Sequence, residues 1–229
     1  MTAPAPPDAG AVPSPSPSPS GAGKVVNFVV FQAIWFACVY GAALGRPWIG
    51  PVLAATLLPL NLRFARSVGA ELRLWALSGA VGLAADTALR SAGLLEFPGS
   101  WDGALAPGLS LPPVWIVTLW VAFGSLLNSS LAWLSGRRWL LVALSALGGP
   151  MSFWSGARIG ATAVPGGWLG YLSLSIEYAV LVPVLMRAAG PPGAAGREDP
   201  RNPKDIDPRA VRRGKVPADQ GIENDDARR

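Results

Sequence analysis

The run VVNFVVFQAIWFACVYGAAL, residues 25–44, holds twenty consecutive residues without a charge, between Lys24 and Arg46. At a rise of about 1.5 Å per residue, twenty residues span the roughly 30 Å hydrocarbon layer of a bilayer. Five further segments approach this length and character: 47–62, 72–89, 113–134, 139–157 and 168–186. The sequence therefore predicts an all-α, polytopic transmembrane helix bundle, read as six spans. The weak member is 47–62, where Pro51, Pro59 and Asn61 interrupt the apolar run. If it enters without crossing, five spans remain.

Composition agrees with a lipid environment. The 229 residues are 51% hydrophobic and 14% charged, with a mean hydropathy of +0.36, which is too apolar for a soluble domain of this length. Residues 1–23 are mostly Pro, Ala, Ser and Gly, with Ser-Pro alternating from Ser14 to Ser20. That composition cannot bury a core, so a disordered tail is expected. It has no basic stretch ahead of a short apolar core, so the first hydrophobic segment is expected to stay uncleaved. Residues 188–229 carry nine basic and eight acidic groups and read as a second, charged, disordered tail, leaving 24–187 as the membrane domain.

Positive residues near segment ends orient a membrane protein. With six spans and the N-terminus inside, Lys24, Arg63, Arg66, Arg73, Arg137, Arg138 and Arg187 are cytoplasmic, against Arg46, Arg90 and Arg158 outside. Five spans with the N-terminus outside give the same ratio, because Lys24 and Arg46 exchange sides. Both counts put the C-terminal tail in the cytoplasm. An aromatic belt is expected from Trp48, Trp115 and Trp168 at outer ends and Trp75, Trp133 and Trp139 at inner ends. The longest loop, about Ser91 to Leu111, is expected outside, with Phe97 and Trp101 dipping into the headgroups.

The chain contains no histidine and one cysteine. The commonest general base and zinc or haem ligand is thus missing, and Cys38, inside an apolar run, reads as a small buried hydrophobe. No P-loop, dinucleotide fingerprint, HExxH or nucleophile elbow occurs. No catalytic residue, metal or cofactor is assigned, and an enzyme is disfavoured. The basic balance, with a pI near 10.0, sits where apolar runs end, so it is topology information and no nucleic-acid partner is expected.

Asn27-Phe28, Phe31-Gln32, Trp35-Phe36-Ala37, Gly41-Ala42-Ala43, Gly45, Trp48 and Gly50-Pro51 open a pattern. It continues through Pro113, Trp115, Leu119-Trp120, Leu127-Asn128, Ser130-Leu131, Trp133-Leu134, Gly148-Gly149-Pro150, Gly156-Ala157-Arg158 and Gly160-Ala161. Over about 25–186 this pattern resembles a family of small bacterial inner-membrane proteins catalogued as a domain of unknown function. The resemblance implies a bacterial inner-membrane location, with genes near those of lipid-modifying enzymes, and carries no activity over. Where that family is expected to read Asn-His-Ser, this chain has Asn128-Ser129-Ser130, so any role of that histidine has no counterpart here.

Ionisable groups inside a bilayer cost about 2.5–3.5 kcal/mol each on insertion scales, which makes them functional candidates. Glu177 lies near the middle of the last segment, with Gly170 and Ser173 on its face. It reads either as a proton- or cation-binding carboxylate or as a hydrogen-bonded glutamate that packs helices. Asp86, one turn before Arg90, favours a structural ion pair. Asn128, with Ser125, Ser129, Thr118, Ala122, Ala132 and Gly136, forms a small-residue stripe that favours packing. Gly148-Gly149-Pro150 predicts a kink or an unwound turn in the fifth segment. Gly41/Gly45 and Gly156/Gly160 have the spacing of close helix approach and offer a route to self-association or to membrane protein partners.

Three functions remain, in this order. The first is a non-catalytic membrane component, a scaffold or the partner of a lipid-modifying or redox system. The second is a small permease with a midplane polar site around Glu177. The third is an integral membrane lipid enzyme.

Overall fold

In a computed structural model, which describes residues 21–65, 67–97, 101–102 and 109–190, the chain is an all-α bundle of six helices. They are α1 Gly21–Ala43, α2 Ile49–Leu62, α3 Val68–Ser91, α4 Val114–Leu127, α5 Arg138–Arg158 and α6 Gly167–Ala189. A two-residue ribbon, β1 Trp101–Asp102 with β2 Ser110–Leu111, lies between α3 and α4, and a 3₁₀ turn, Ala132–Leu134, precedes α5. The four helices α1, α3, α5 and α6 are long and apolar enough to cross a membrane, whereas α2 and α4 have 14 residues each. Apart from 21–23 and 188–190, the two expected tails lie outside the described residues.

The helices alternate in direction. Side chains at the starts of α1 and α3 and at the end of α2 bond to residues at the end of α4, and the loop after α3 meets the loop after α5 through the Glu96–Ala163 bridge. Segment 47–62 thus forms a helix that runs back along α1 to the end where α1 begins. Short α4 is the axis of the bundle, packed by α1, α2, α3 and α6, while α5 packs chiefly on α6. Cys38 is buried and free, and its sulfur fills the space where a Cβ on Gly50 would stand, so α1 and α2 meet closely there.

Several expectations need correction. Segment 113–134 is not one helix: α4 stops at Leu127, where Asn128 caps it and turns its side chain to α3. Gly41-x-x-x-Gly45 and Gly156-x-x-x-Gly160 are not continuous helical faces. Gly45 and Gly160 have φ of 68° and 83° and lie past the ends of α1 and α5. Gly45 N donates to Ala42 O and Arg46 N to Gly41 O; Gly160 N donates to Ala157 O and Ala161 N to Gly156 O. The shared spacing is that of a glycine-terminated helix end, whose left-handed residue lets the chain cover its own last carbonyls. Helix α5 is continuous through Gly148-Gly149-Pro150 rather than unwound, and the Tyr178 ring occupies the place of a Cβ on Gly149.

The aromatic belt is only partial. Trp48, Trp133, Trp139 and Trp168 are exposed at the bundle ends, but Trp75 and Trp115 are buried. Phe97, expected among headgroups, is buried beneath its loop and meets Trp115 edge to face at 5.8 Å.

Candidate functional site

Two polar groups are built into the bundle, one at its end and one near its middle. At the end where α1 begins, Asn27 on α1 donates through Nδ2 to Ser125 O at 3.1 Å, and its Oδ1 accepts from Ser130 Oγ at 2.7 Å. Ser125 Oγ donates to Ala122 O at 2.7 Å and accepts from Asn61 Nδ2 at 3.3 Å. Glu71, in the first turn of α3, accepts from Trp75 Nε1 at 3.0 Å and from Asn128 Nδ2 at 2.9 Å. Four helices are thereby tied at the end of α4 by two neighbouring groups of hydrogen bonds, and both oxygens of the buried glutamate have donors. Such bonding fixes which helix ends meet.

The second group lies deeper. Asp86 is fully buried on α3, fifteen residues beyond Glu71, which is about 22 Å along the helix axis. Its Oδ2 accepts from Trp120 Nε1 at 2.8 Å, halfway along α4. The Trp120 ring packs against Tyr178 at 5.0 Å between centroids, and Glu177 precedes Tyr178 on α6. Glu177 thus adjoins the residue whose ring packs on the indole that holds Asp86. Glycine makes this approach possible: a Cβ on Gly82 would stand in the Trp120 ring, as one on Gly149 would in that of Tyr178. Asp86 Oδ1 and both oxygens of Glu177 are buried with no hydrogen-bond partner among the described residues.

The four residues expected to form a site are therefore divided. Asp86 and Glu177 both adjoin the Trp120–Tyr178 contact, Ser173 is half-buried one turn before Glu177, and Asn128 belongs to the group at the bundle end. In place of the expected Asp86–Arg90 pair, Asp86 takes the Trp120 indole. The Arg90 guanidinium donates through Nη1 to the Leu111 carbonyl and lies over the Phe97 ring. Sequence reasoning missed Asn27, Asn61 and Glu71, although two amides within apolar runs and the Glu71/Trp75 spacing of four were signals to follow. It also missed Trp120 and Tyr178, which only the packing of α4 on α6 brings to the carboxylates.

Beside this centre runs a cavity of about 450 Å³ along α4, between α1 and α5, with Trp120 and Tyr178 in its wall. Its other lining includes Phe31, Trp35, Trp115 and Phe153. Among the described residues there is no cluster of three or more His, Cys, Asp or Glu side chains suited to a metal ion.

These features define a polytopic membrane-type helix bundle with a pair of buried carboxyl groups at its centre. The chain belongs to the family described as "Protein of unknown function (DUF2878)", whose model matches residues 24–184. No curated protein and no solved structure matches it.

Proposed function

We propose that the protein is a small proton-coupled permease, with Asp86 and Glu177 as its proton-binding pair. One observation carries the reading: three carboxylate oxygens of this pair are buried without a partner among the described residues. Two neighbouring carboxyl groups in a low-dielectric interior cannot both hold bare charge, because desolvation and mutual repulsion act together. A proton shared between them removes the repulsion and supplies a donor. A glutamate kept only for packing would be expected to have donors, as Glu71 has.

The location belongs to the same proposal: the bacterial inner membrane, with six crossings and both ends cytoplasmic. Its support is the seven-to-three distribution of positive residues and the alternating direction of the helices.

Proton entry into vesicles containing the purified protein, followed by an internal pH dye under an imposed membrane potential, tests the function. Glu177→Gln and Asp86→Asn are each expected to slow entry about tenfold or more, equivalent to at least about 1.4 kcal/mol on the barrier. Equal rates in wild type and both variants would return the protein to the class of non-catalytic membrane components.

A further inference from the structure

The cavity along α4 is a slot with a definite direction. Helices α1 and α5 barely touch, α4 forms the floor between them, and Trp35 Nε1 reaches across to Ser152 Oγ at 3.0 Å. On α5 the lining extends from Leu141 to Gly156, about 22 Å parallel to the helix axes. That covers most of the roughly 30 Å depth of a hydrocarbon layer. Its volume, about 450 Å³, lies in the range of small-molecule sites.

The chemistry of the lining selects the occupant. None of the lining residues is Asp, Glu, Lys or Arg. The serine and threonine hydroxyls are engaged, Ser145 with Leu141 O, Ser155 with Met151 O, Thr162 with Phe153 O, and Ser152 with Trp35, so that Gln32 and Tyr178 are the other polar side chains beside the indoles. A peptide laid in the slot would leave most of its amides without partners, whereas a hydrocarbon chain has none to satisfy. The slot also opens onto the bundle's apolar outer surface, where Leu144 and Met151 are exposed. It is thus continuous with the surface that lipid covers.

One donor waits at the end of the slot where α4 begins. Trp115 is 1% exposed, lines the slot, and its indole N–H has no acceptor among the described residues. A buried N–H left without an acceptor is costly, and a ligand oxygen there would remove that cost. Trp115 is the second residue of α4, at the bundle end where α1, α3 and α5 finish, so a lipid chain running along the slot would bring its ester group to that end.

We infer that the slot between α1 and α5 binds one acyl chain of a bilayer phospholipid, with the Trp115 indole N–H donating to its ester carbonyl. The inference rests on the slot alone and is independent of the proton-binding reading.

Native mass spectrometry of protein purified in mild detergent from a phospholipid membrane tests it. Wild type is expected to retain one phospholipid per chain. Gly148 lines the slot and a Cβ there meets nothing within 4 Å, so Gly148→Leu is expected to fill it and retain none. Trp115→Phe keeps an aromatic ring but loses the donor. It is expected to release the lipid about three- to tenfold more readily, the worth of one hydrogen bond. Leu147→Ala, outside the slot on the same helix, is expected to behave as wild type. Retention unchanged in both Gly148→Leu and Trp115→Phe overturns the proposal, as does a retained species without an acyl ester. A Gly148→Leu protein that fails to fold leaves the decision to Trp115→Phe.

Discussion

Glu71 and Glu177 are the same residue on two long apolar helices of one bundle, yet their surroundings are opposite. Glu71 has an indole and an amide donor on its two oxygens and ties the start of α3 to the end of α4. Glu177 has no donor on either oxygen among the described residues, and its neighbour Tyr178 packs on the indole that holds Asp86. The difference teaches that burial of a charge-bearing group does not by itself mark function. What separates the two is whether the fold supplies the group with partners: where it does, the group organises helices, and where it does not, a proton or ligand has to complete it.

The comparison is broken most forcefully by removing each glutamate. Glu71→Leu leaves the Trp75 indole and the Asn128 amide without their acceptor and is expected to lower stability by about 3 kcal/mol, read from unfolding in detergent. Glu177→Leu takes away an unpartnered polar group and is expected to leave stability unchanged or raise it. Similar losses in both variants would mean that Glu177 also has a structural partner.

A smaller pair of effects sharpens the boundary between the close-packed carboxylate centre and the open slot beside it. Gly82→Ala drives a methyl group into the Trp120 ring and is expected to cost about 1–3 kcal/mol. Gly148→Ala adds the same methyl where nothing opposes it and is expected to gain up to about 1 kcal/mol from helix propensity. Melting temperatures of the two variants measure this directly. A loss at Gly148 equal to that at Gly82 would show the slot to be filled by protein.

The fold was legible where hydropathy alone decides it: six apolar segments gave six helices. It was less legible where short-range polar chemistry overrides length. The apolar character of 113–134 pointed to one helix, but Asn128 and Ser130 bond to other helices and end α4 early. The Gly-x-x-x-Gly spacing was read as helix packing because the same three intervening residues separate the carbonyl and the left-handed glycine of a helix end. Of the site, Asp86 and Glu177 were found because charge in an apolar run is conspicuous. Their juxtaposition was not visible, since it depends on two glycines letting the Trp120 and Tyr178 rings approach. The slot was invisible for a related reason: it arises from two helices whose backbones stay apart, bridged by the Trp35 side chain, and no residue pattern records such a gap.

The central claim is that Asp86 and Glu177 hold a proton between them. The most direct measurement is the infrared difference spectrum between wild type and the double variant Asp86→Asn/Glu177→Gln at neutral pH. The account predicts a carbonyl-stretch band of a buried protonated carboxyl group in wild type that is gone from the variant. A spectrum in which wild type contributes only carboxylate bands at these positions would contradict it.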